Sequence, residues 1–336
     1  MPRAMILGLA GPTLSPAEAA FFREADPWGF ILFRRNVESP AQVAALTRAL
    51  REAVGRDAPI LVDQEGGRVQ RLGPPHWPKH PPAAVYDRLA LPLEEKLDLC
   101  RLGARLIAAE LAQVGIDVDC LPCLDVPVPG ADAVIGDRAY ADDPARVARF
   151  GRAAAEGLLD EGVLPVIKHL PGHGRAGVDS HKALPIVEAS EEALESADFA
   201  PFVALADMPL GMTAHVVYTA VDARAPATHS ARVVSEVIRG LIGFDGLLMT
   251  DDLGMHALGG GFDERAAKAL AAGCDVALHC SGAIREMEAV ASVAPVLAGE
   301  AARRAEAALV ARGRRAAPID LVDARARRDA ALATLR

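Results

Sequence analysis

The sequence predicts an α/β protein built as a single (β/α)8 TIM barrel, and three observations carry that reading. Short apolar runs of strand composition alternate with longer segments of helical periodicity from one end of the chain to the other. The runs hold Val, Ile and Leu at successive positions, so both faces are buried, as in a parallel sheet covered by helices. Eight such runs favour a closed barrel over an open sheet, and 336 residues lie inside the about 200 to over 400 that such barrels span.

Taken in order, "AMILGLA" is the first strand and "SPAEAAFFREA" its helix, then "GFILF" with "SPAQVAALTRALREAV". Ser39 and later Asp143 stand before a proline, the pattern of a capping residue followed by a first-turn Pro. "PILVDQEGG" leads through the Pro-rich "LGPPHWPKHPPAAVY" to a long helix, "EEKLDLCRLGARLIAAELAQVG". "DVDCLPCLDV" reads as the fourth strand, followed by "DPARVARFGRAAAEGLLDEG". The fifth, "LPVIKH", runs into a Gly-rich loop. "LGMTAHVVY", "GLLMTDD" and "DVALHC" complete the set, with helices at "SARVVSEVIRGLIG", "DERAAKALAAGC" and "AIREMEAVASVAPVLA". The expected organisation is a barrel over residues 1–300 and a C-terminal helical tail over 301–336, packed on the barrel or extending from it. Its arginines, interspersed with acids, suggest a solvated face.

A formal charge of −9 argues against a nucleic-acid partner, since phosphate binding needs clustered Lys and Arg. Five cysteines, an odd number, give no disulfide framework. Cys120 and Cys123 form a C-x-x-C inside an apolar run, which reads as buried strand instead of an exposed redox turn. "MPRAMILGLAGPTLS" enters a strand directly and lacks a signal-peptide pattern. No run approaches the roughly 18 apolar residues of a membrane span. A cytoplasmic monomer without membrane partners is expected.

A barrel places its chemistry just after the strands, and the polar residues cluster there. "VDQEGGRVQR" holds Asp63, Glu65, Arg68 and Arg71 around two glycines whose spacing is not that of a phosphate loop. "IGDRAY" contributes Arg138. "KHLPGHG" sets Lys168 and His169 at a strand end, followed by a loop whose glycines permit positive φ and movement. His173 is expected to tie that loop to the barrel. Asp179 and His181, two apart on an extended loop, point the same way, so the carboxylate orients the imidazole as an acid/base pair. "MTDDLGM" places one of two adjacent acids, Asp251 or Asp252, toward the axis. Three histidines and an aspartate raise the question of zinc, but no H-x-H stands at a strand end, so no metal or cofactor is expected.

Together, "LFRRNVESPAQV", "LVDQEGGRVQRL", "IGDRAY", "KHLPGHG", "DSH", "MTAHVVY" and "MTDDLGM", in this order, resemble the β-N-acetylhexosaminidases of glycoside hydrolase family 3, of the NagZ type. The resemblance covers roughly residues 5 to 280. It implies removal of terminal N-acetylglucosamine from 1,6-anhydro-N-acetylmuramyl peptides, a small-molecule muropeptide substrate, in cytoplasmic peptidoglycan recycling. It makes Asp251 the nucleophile of a covalent glycosyl-enzyme and His181 the acid/base, oriented by Asp179. Asp63, Arg71, Arg138, Lys168 and His169 become sugar-binding residues. Two alternatives accompany it: a silent amino-sugar-binding barrel, and a phosphorylase, because histidine repels phosphate less than a carboxylate does. Leu170 stands where the family most often has Phe and is expected to loosen the packing; Gly254 follows a motif that varies among relatives.

Overall fold

The computed structural model describes residues 1–313 and 319–335. Eight parallel strands follow one another around a barrel: β1 Arg3–Leu7, β2 Pro27–Leu32, β3 Ile60–Val62, β4 Val118–Asp119, β5 Leu164–Leu170, β6 Leu210–Thr213, β7 Leu247–Met249 and β8 Ala277–His279. Hydrogen bonding runs β7-β6-β5-β4-β3-β2-β1-β8, and a single bridge between Met249 and Val276 nearly closes the ring.

Strand alternation explains what lies inside. Ala4, Ile6, Ile31, Leu61, Val118, Leu164, Val166, Met212, Leu247, Met249 and Leu278 form one buried cluster within the barrel. Their neighbours Met5, Leu7, Phe30, Leu32, Ile60 and Val62 belong to the layer between sheet and helices. Every second side chain therefore faces the axis.

The helices around the barrel are α1 Pro16–Ala25, α2 Pro40–Val54, α3 Leu93–Gln113, α4 Pro144–Asp160, α5 Val233–Leu241, α6 Phe262–Ala272 and α7 Ile284–Val293. The expected caps form: Ser39 accepts from the Gln42 amide and Asp143 from the Arg146 amide, each with proline next. Helix α5 is wound more widely than an α-helix, as a π-helix.

Several boundaries differ from the sequence reading, each for a physical reason. The fourth strand is only two residues long, because Pro122 has no amide to donate to a ladder. After β5 a broken helical stretch, Glu191–Ala193, Leu194–Asp198 and Ala200–Ala204, covers the sheet where a loop alone was expected; Pro201 interrupts its pattern. Pro295 likewise ends α7 early, and a separate helix α8, Gly299–Ala311, buries Ala305 and Ala308. Helix α9, Leu321–Leu332, does not present a wholly solvated face, since Ala324 and Arg328 are buried. Residues 314–318 and 336 of the expected tail lie outside the described residues. Leu170 does not loosen its surroundings: it is fully buried, and with Phe244 it closes over Gly211 so tightly that a Cβ there would lie 2.6 Å from Leu170 Cδ1.

Candidate active site

The inward rows of three strands continue past their last apolar residue into a polar one. Leu61 is followed two positions on by Asp63, Val166 by Lys168, and Met249 by Asp251. The axis-facing side chains thus change from hydrocarbon to charge at the C-terminal mouth. Asp63, Arg71, Arg138, Lys168, His169, His181 and Asp251 line a single cleft there, beside Ile31, Phe33, Met212, Leu278 and Cys280. Asp179 supports that wall from behind, as His181's partner.

The floor is a chain of alternating charges. Arg71 bonds Asp63 at 3.0 Å, and Lys168 Nζ lies 3.0 Å from Asp63 and 2.6 Å from Glu65. Arg138 grips both Glu65 oxygens at 2.8 and 2.9 Å. Burial alone would raise both carboxyls, but Lys168 and Arg71 hold Asp63 well below the usual range, and Arg138 and Lys168 bring Glu65 down to about 2. Lys168, itself buried, is held strongly protonated by the same acids. The ammonium has three donors and spends two on these acids, leaving one for a ligand hydroxyl. Arg71 Nε is buried with no hydrogen-bond partner among the described residues, so it is a second free donor beside the cleft. The ring of Phe33 lies 5.0 Å from the Arg35 guanidinium and 5.4 Å from that of Arg71.

The Gly66-Gly67 pair does turn chemistry, with φ of +88° and +58°. A Cβ on Gly66 would stand 2.3 Å from the Pro81 carbonyl. The pair lets the hairpin of Gln64–Gly66 and Val69–Gln70 lie flat on the Pro-rich loop and so aim Glu65 and Arg71 inward.

Asp125 was not among the residues singled out in the sequence, and it organises the next layer. Its oxygens accept His169 Nδ1 at 2.7 Å, the His169 amide at 3.2 Å and the His173 amide at 2.6 Å. With Nδ1 engaged, His169 presents Nε2 to the cleft. An acid inside "CLPCLDV" was the available signal, because a buried carboxylate requires partners. Cys123, Asp125 and His169 bring donor atoms within 4.8 Å of one another, the one such group among the described residues. Asp125 and His169 are already bonded to each other, however, and burial pushes the Cys123 thiol well up, away from the thiolate a metal would need. Cys120 is buried and raised in the same way.

The loop after β5 is pinned. His173 is buried; its side chain meets Ser180 Oγ at 3.0 Å within the loop, while its amide, bonded to Asp125 at 2.6 Å, makes the expected tie to the barrel. Burial lowers its pKa to about 4, so it is neutral. Gly174 is needed for close approach, since a Cβ there would overlap the Val126 carbonyl at 1.8 Å; Gly177 has open space. The Asp179–His181 pair forms, but on a turn instead of an extended segment. Asp179 Oδ1 accepts both the His181 amide and Nδ1 at 2.9 Å, and the Lys182 amide closes onto the Asp179 carbonyl at 2.8 Å. This wraps the imidazole back over its carboxylate. Burial opposes the charge on Asp179, but the His181 bonds win and hold its carboxyl below the ordinary value.

Asp251 and Asp252 part company at the end of β7. The Asp252 carboxylate accepts the amides of Gly254 at 2.9 Å and Cys280 at 3.1 Å, and the absent Cβ of Gly254 leaves room for it. Asp251 takes only its neighbour's amide, at 2.8 Å, and forms no ion pair among the described residues. Burial raises its carboxyl, while the neighbouring His169 and His215 and that amide outweigh the effect and keep it low. His215 helps hold the turn, its Nε2 meeting the Asp252 carbonyl at 3.0 Å. An ionised, under-bonded carboxylate therefore faces an oriented imidazole across a cleft rich in charged hydrogen-bonding groups.

Residues 18–312 match the glycosyl hydrolase family 3 N-terminal domain. The chain belongs to that family. A β-hexosaminidase of Alkalilimnicola ehrlichii is 41% identical over 284 residues, covering 82% of this chain and 80% of its own. Two crystal structures of NagZ from Neisseria gonorrhoeae superpose with a TM-score of 0.84. One, in complex with zinc ion, is 30% identical and covers 99% of this chain and 97% of its own. The other, in complex with N-trifluoroacetyl-D-glucosamine, is 31% identical with 100% and 98% covered. A β-N-acetylglucosaminidase from Paenibacillus is 33% identical with a TM-score of 0.81; this family 3 chain spans 61% of its length and is itself covered to 97%.

One buried acid in this barrel yields a pH prediction. Asp119, fully buried at the end of β4, accepts the Gln64 amide at 2.9 Å, and burial pushes its carboxyl up to about 8. A carboxyl raised on folding binds more protons folded than unfolded, so stability falls as pH rises from near 4 to near 8. Asp119→Asn keeps an acceptor for Gln64 without the charge. The variant is expected to melt above the wild type at pH 8, with the gap closing toward pH 4; a constant gap would show that Asp119 stays ionised throughout.

Proposed function

We propose that this family 3 glycoside hydrolase removes terminal N-acetylglucosamine from 1,6-anhydro-N-acetylmuramyl peptides, as a cytoplasmic monomer in peptidoglycan recycling, with retention of anomeric configuration. The observation that carries the reading is the pairing in one cleft of an ionised Asp251, free of cationic partners among the described residues, with the Asp179-oriented His181. Asp251 attacks the anomeric carbon while His181 Nε2 gives its proton to the departing oxygen. His181 then takes a proton from water, which displaces the carboxylate. Lys168, Asp63, Arg71, Arg138 and His169 hold the ring hydroxyls and acetamido group. The names of the relatives, β-hexosaminidase and NagZ, and the N-acylated glucosamine bound by one neighbour support a β-N-acetylhexosaminide as substrate. Asp252 does not suit the alternative in which the substrate's own acetamide attacks, because one of its oxygens already holds two backbone amides.

The test is incubation of the pure protein with an N-acetylglucosaminyl-1,6-anhydro-N-acetylmuramyl peptide, followed by NMR of the newly formed sugar, with and without phosphate. Release of β-N-acetylglucosamine before mutarotation is expected in both. A phosphate-dependent sugar 1-phosphate would favour the phosphorylase, binding without turnover the silent barrel, and an α-anomer would refute retention.

A further inference from the structure

Helix α9 lies beyond residue 312, where the family match ends, yet it reaches one of the most buried polar clusters in the chain. Ala331, Leu332 and Leu335 pack against the main core, and Arg328 is 2% exposed. The Arg328 guanidinium donates to Asp329 and, at 2.9 Å, to His80 Nδ1. Arginine stays protonated and has no acceptor, so Nδ1 must accept and Nε2 carries the imidazole hydrogen. That hydrogen goes to Glu110 of α3, at 3.0 Å, whose other oxygen takes Arg325 of α9 at 2.7 Å. The cluster thereby satisfies every nitrogen of a 1% exposed histidine.

His80 holds the substrate hairpin with its backbone. Its amide donates to Gln70 Oε1 at 3.0 Å and its carbonyl accepts the Gly67 amide at 2.9 Å. Those two residues flank the turn that aims Glu65 and Arg71. The path from tail to cleft is therefore continuous: Arg328, His80, the hairpin, then Glu65, which bonds Lys168 directly, and Arg71, which meets it through Asp63.

We propose that Arg328 is a positioning residue for substrate binding, fixing the hairpin through His80. The inference rests on the reading that Arg71 holds the sugar, together with Lys168 and Arg138, which Glu65 fixes in place. Losing the Arg328 donors leaves His80 Nδ1 unpaired and the ring held by Glu110 alone, so His80 shifts and the hairpin bonded to its backbone relaxes by the small displacement that weakens binding more than chemistry.

The test compares KM, kcat and inhibition by free N-acetylglucosamine for Arg328→Met, Arg328→Lys, Arg71→Met and the double variant Arg328→Met/Arg71→Met, each with a melting curve. Arg328→Met should raise KM and the inhibition constant about tenfold with kcat within about threefold, and Arg328→Lys should recover most of the loss. In the Arg71→Met background the further rise should be less than about twofold, because coupled residues are non-additive. Equal rises in both backgrounds, or a lowered melting point with unchanged KM, would overturn the role of the tail. An unaffected KM in Arg71→Met would instead overturn the site reading, and the route through it. If Arg328→Met does not fold, Arg325→Met, which takes a partly exposed guanidinium from the buried Glu110 that holds His80 Nε2, tests the same cluster from its other side: a raised KM that Arg71→Met masks supports the route, and an unchanged KM overturns it.

Discussion

Replacing Asp251 by alanine or asparagine is expected to abolish turnover of an aryl N-acetyl-β-glucosaminide, with kcat reduced on the order of 10⁴-fold or more, as for removal of other nucleophiles. Asp251 sits at the end of an inward row of β7, where the neighbouring histidines and the Asp252 amide keep it ionised despite burial. None of its oxygens is committed to a cation among the described residues, in contrast to Asp63 and Glu65, each of which has two. Asp251→Asn preserves volume and the amide contact, so affinity for free N-acetylglucosamine should remain within about threefold. With a fluoro-sugar trap, intact-protein mass spectrometry should find one glycosyl adduct on the wild type, mapping to Asp251, and none on either variant. Turnover in the wild type with no adduct would point to acetamide participation. An adduct on another residue would remove Asp251 from its role.

The barrel was legible because alternation and strand count are properties of sequence. The same alternation, counted past the last apolar residue, carries Asp63, Lys168 and Asp251 to the axis, but in the sequence the choice of Asp251 over Asp252 came from the family resemblance. Asp125 was not legible: one acid in an apolar run shows that a partner exists but not that the partner is His169, 44 residues away. The turn at 179–183 was missed for a similar reason. "VDSH" is compatible with an extended strand-like loop, and only the backbone bonds from Lys182 and Ala183 to the Asp179 carbonyl make it a turn. The glycines of "KHLPGHG" suggested mobility, whereas Gly174 exists for close contact with Val126. The tail shows the converse error. Charge patterning made it solvated, but Arg328 is buried because a histidine far away in sequence needs its hydrogen.

His181→Ala separates proton transfer from bond cleavage. General acid catalysis contributes about 10²- to 10⁴-fold when the leaving group needs its proton, and little when the leaving group is a stable anion. The variant's kcat/KM, which reports glycosylation, should fall by that range for muropeptide or alkyl glycosides. For a dinitrophenyl glycoside it should fall less than about tenfold. Its kcat on the activated substrate should still drop, because the same imidazole must activate water in the second step. Azide needs no base and should restore that kcat by giving a glycosyl azide. Asp179→Asn keeps an acceptor for the His181 amide but withdraws the charge behind Nδ1, so it should lose part of both effects. The imidazole's side chain is 65% exposed while Asp179's is 17%, so the carboxylate is the enclosed member and the ring the one open to a ligand. Equal losses on both substrate classes, without azide rescue, would mean that His181 shapes the cleft but moves no proton.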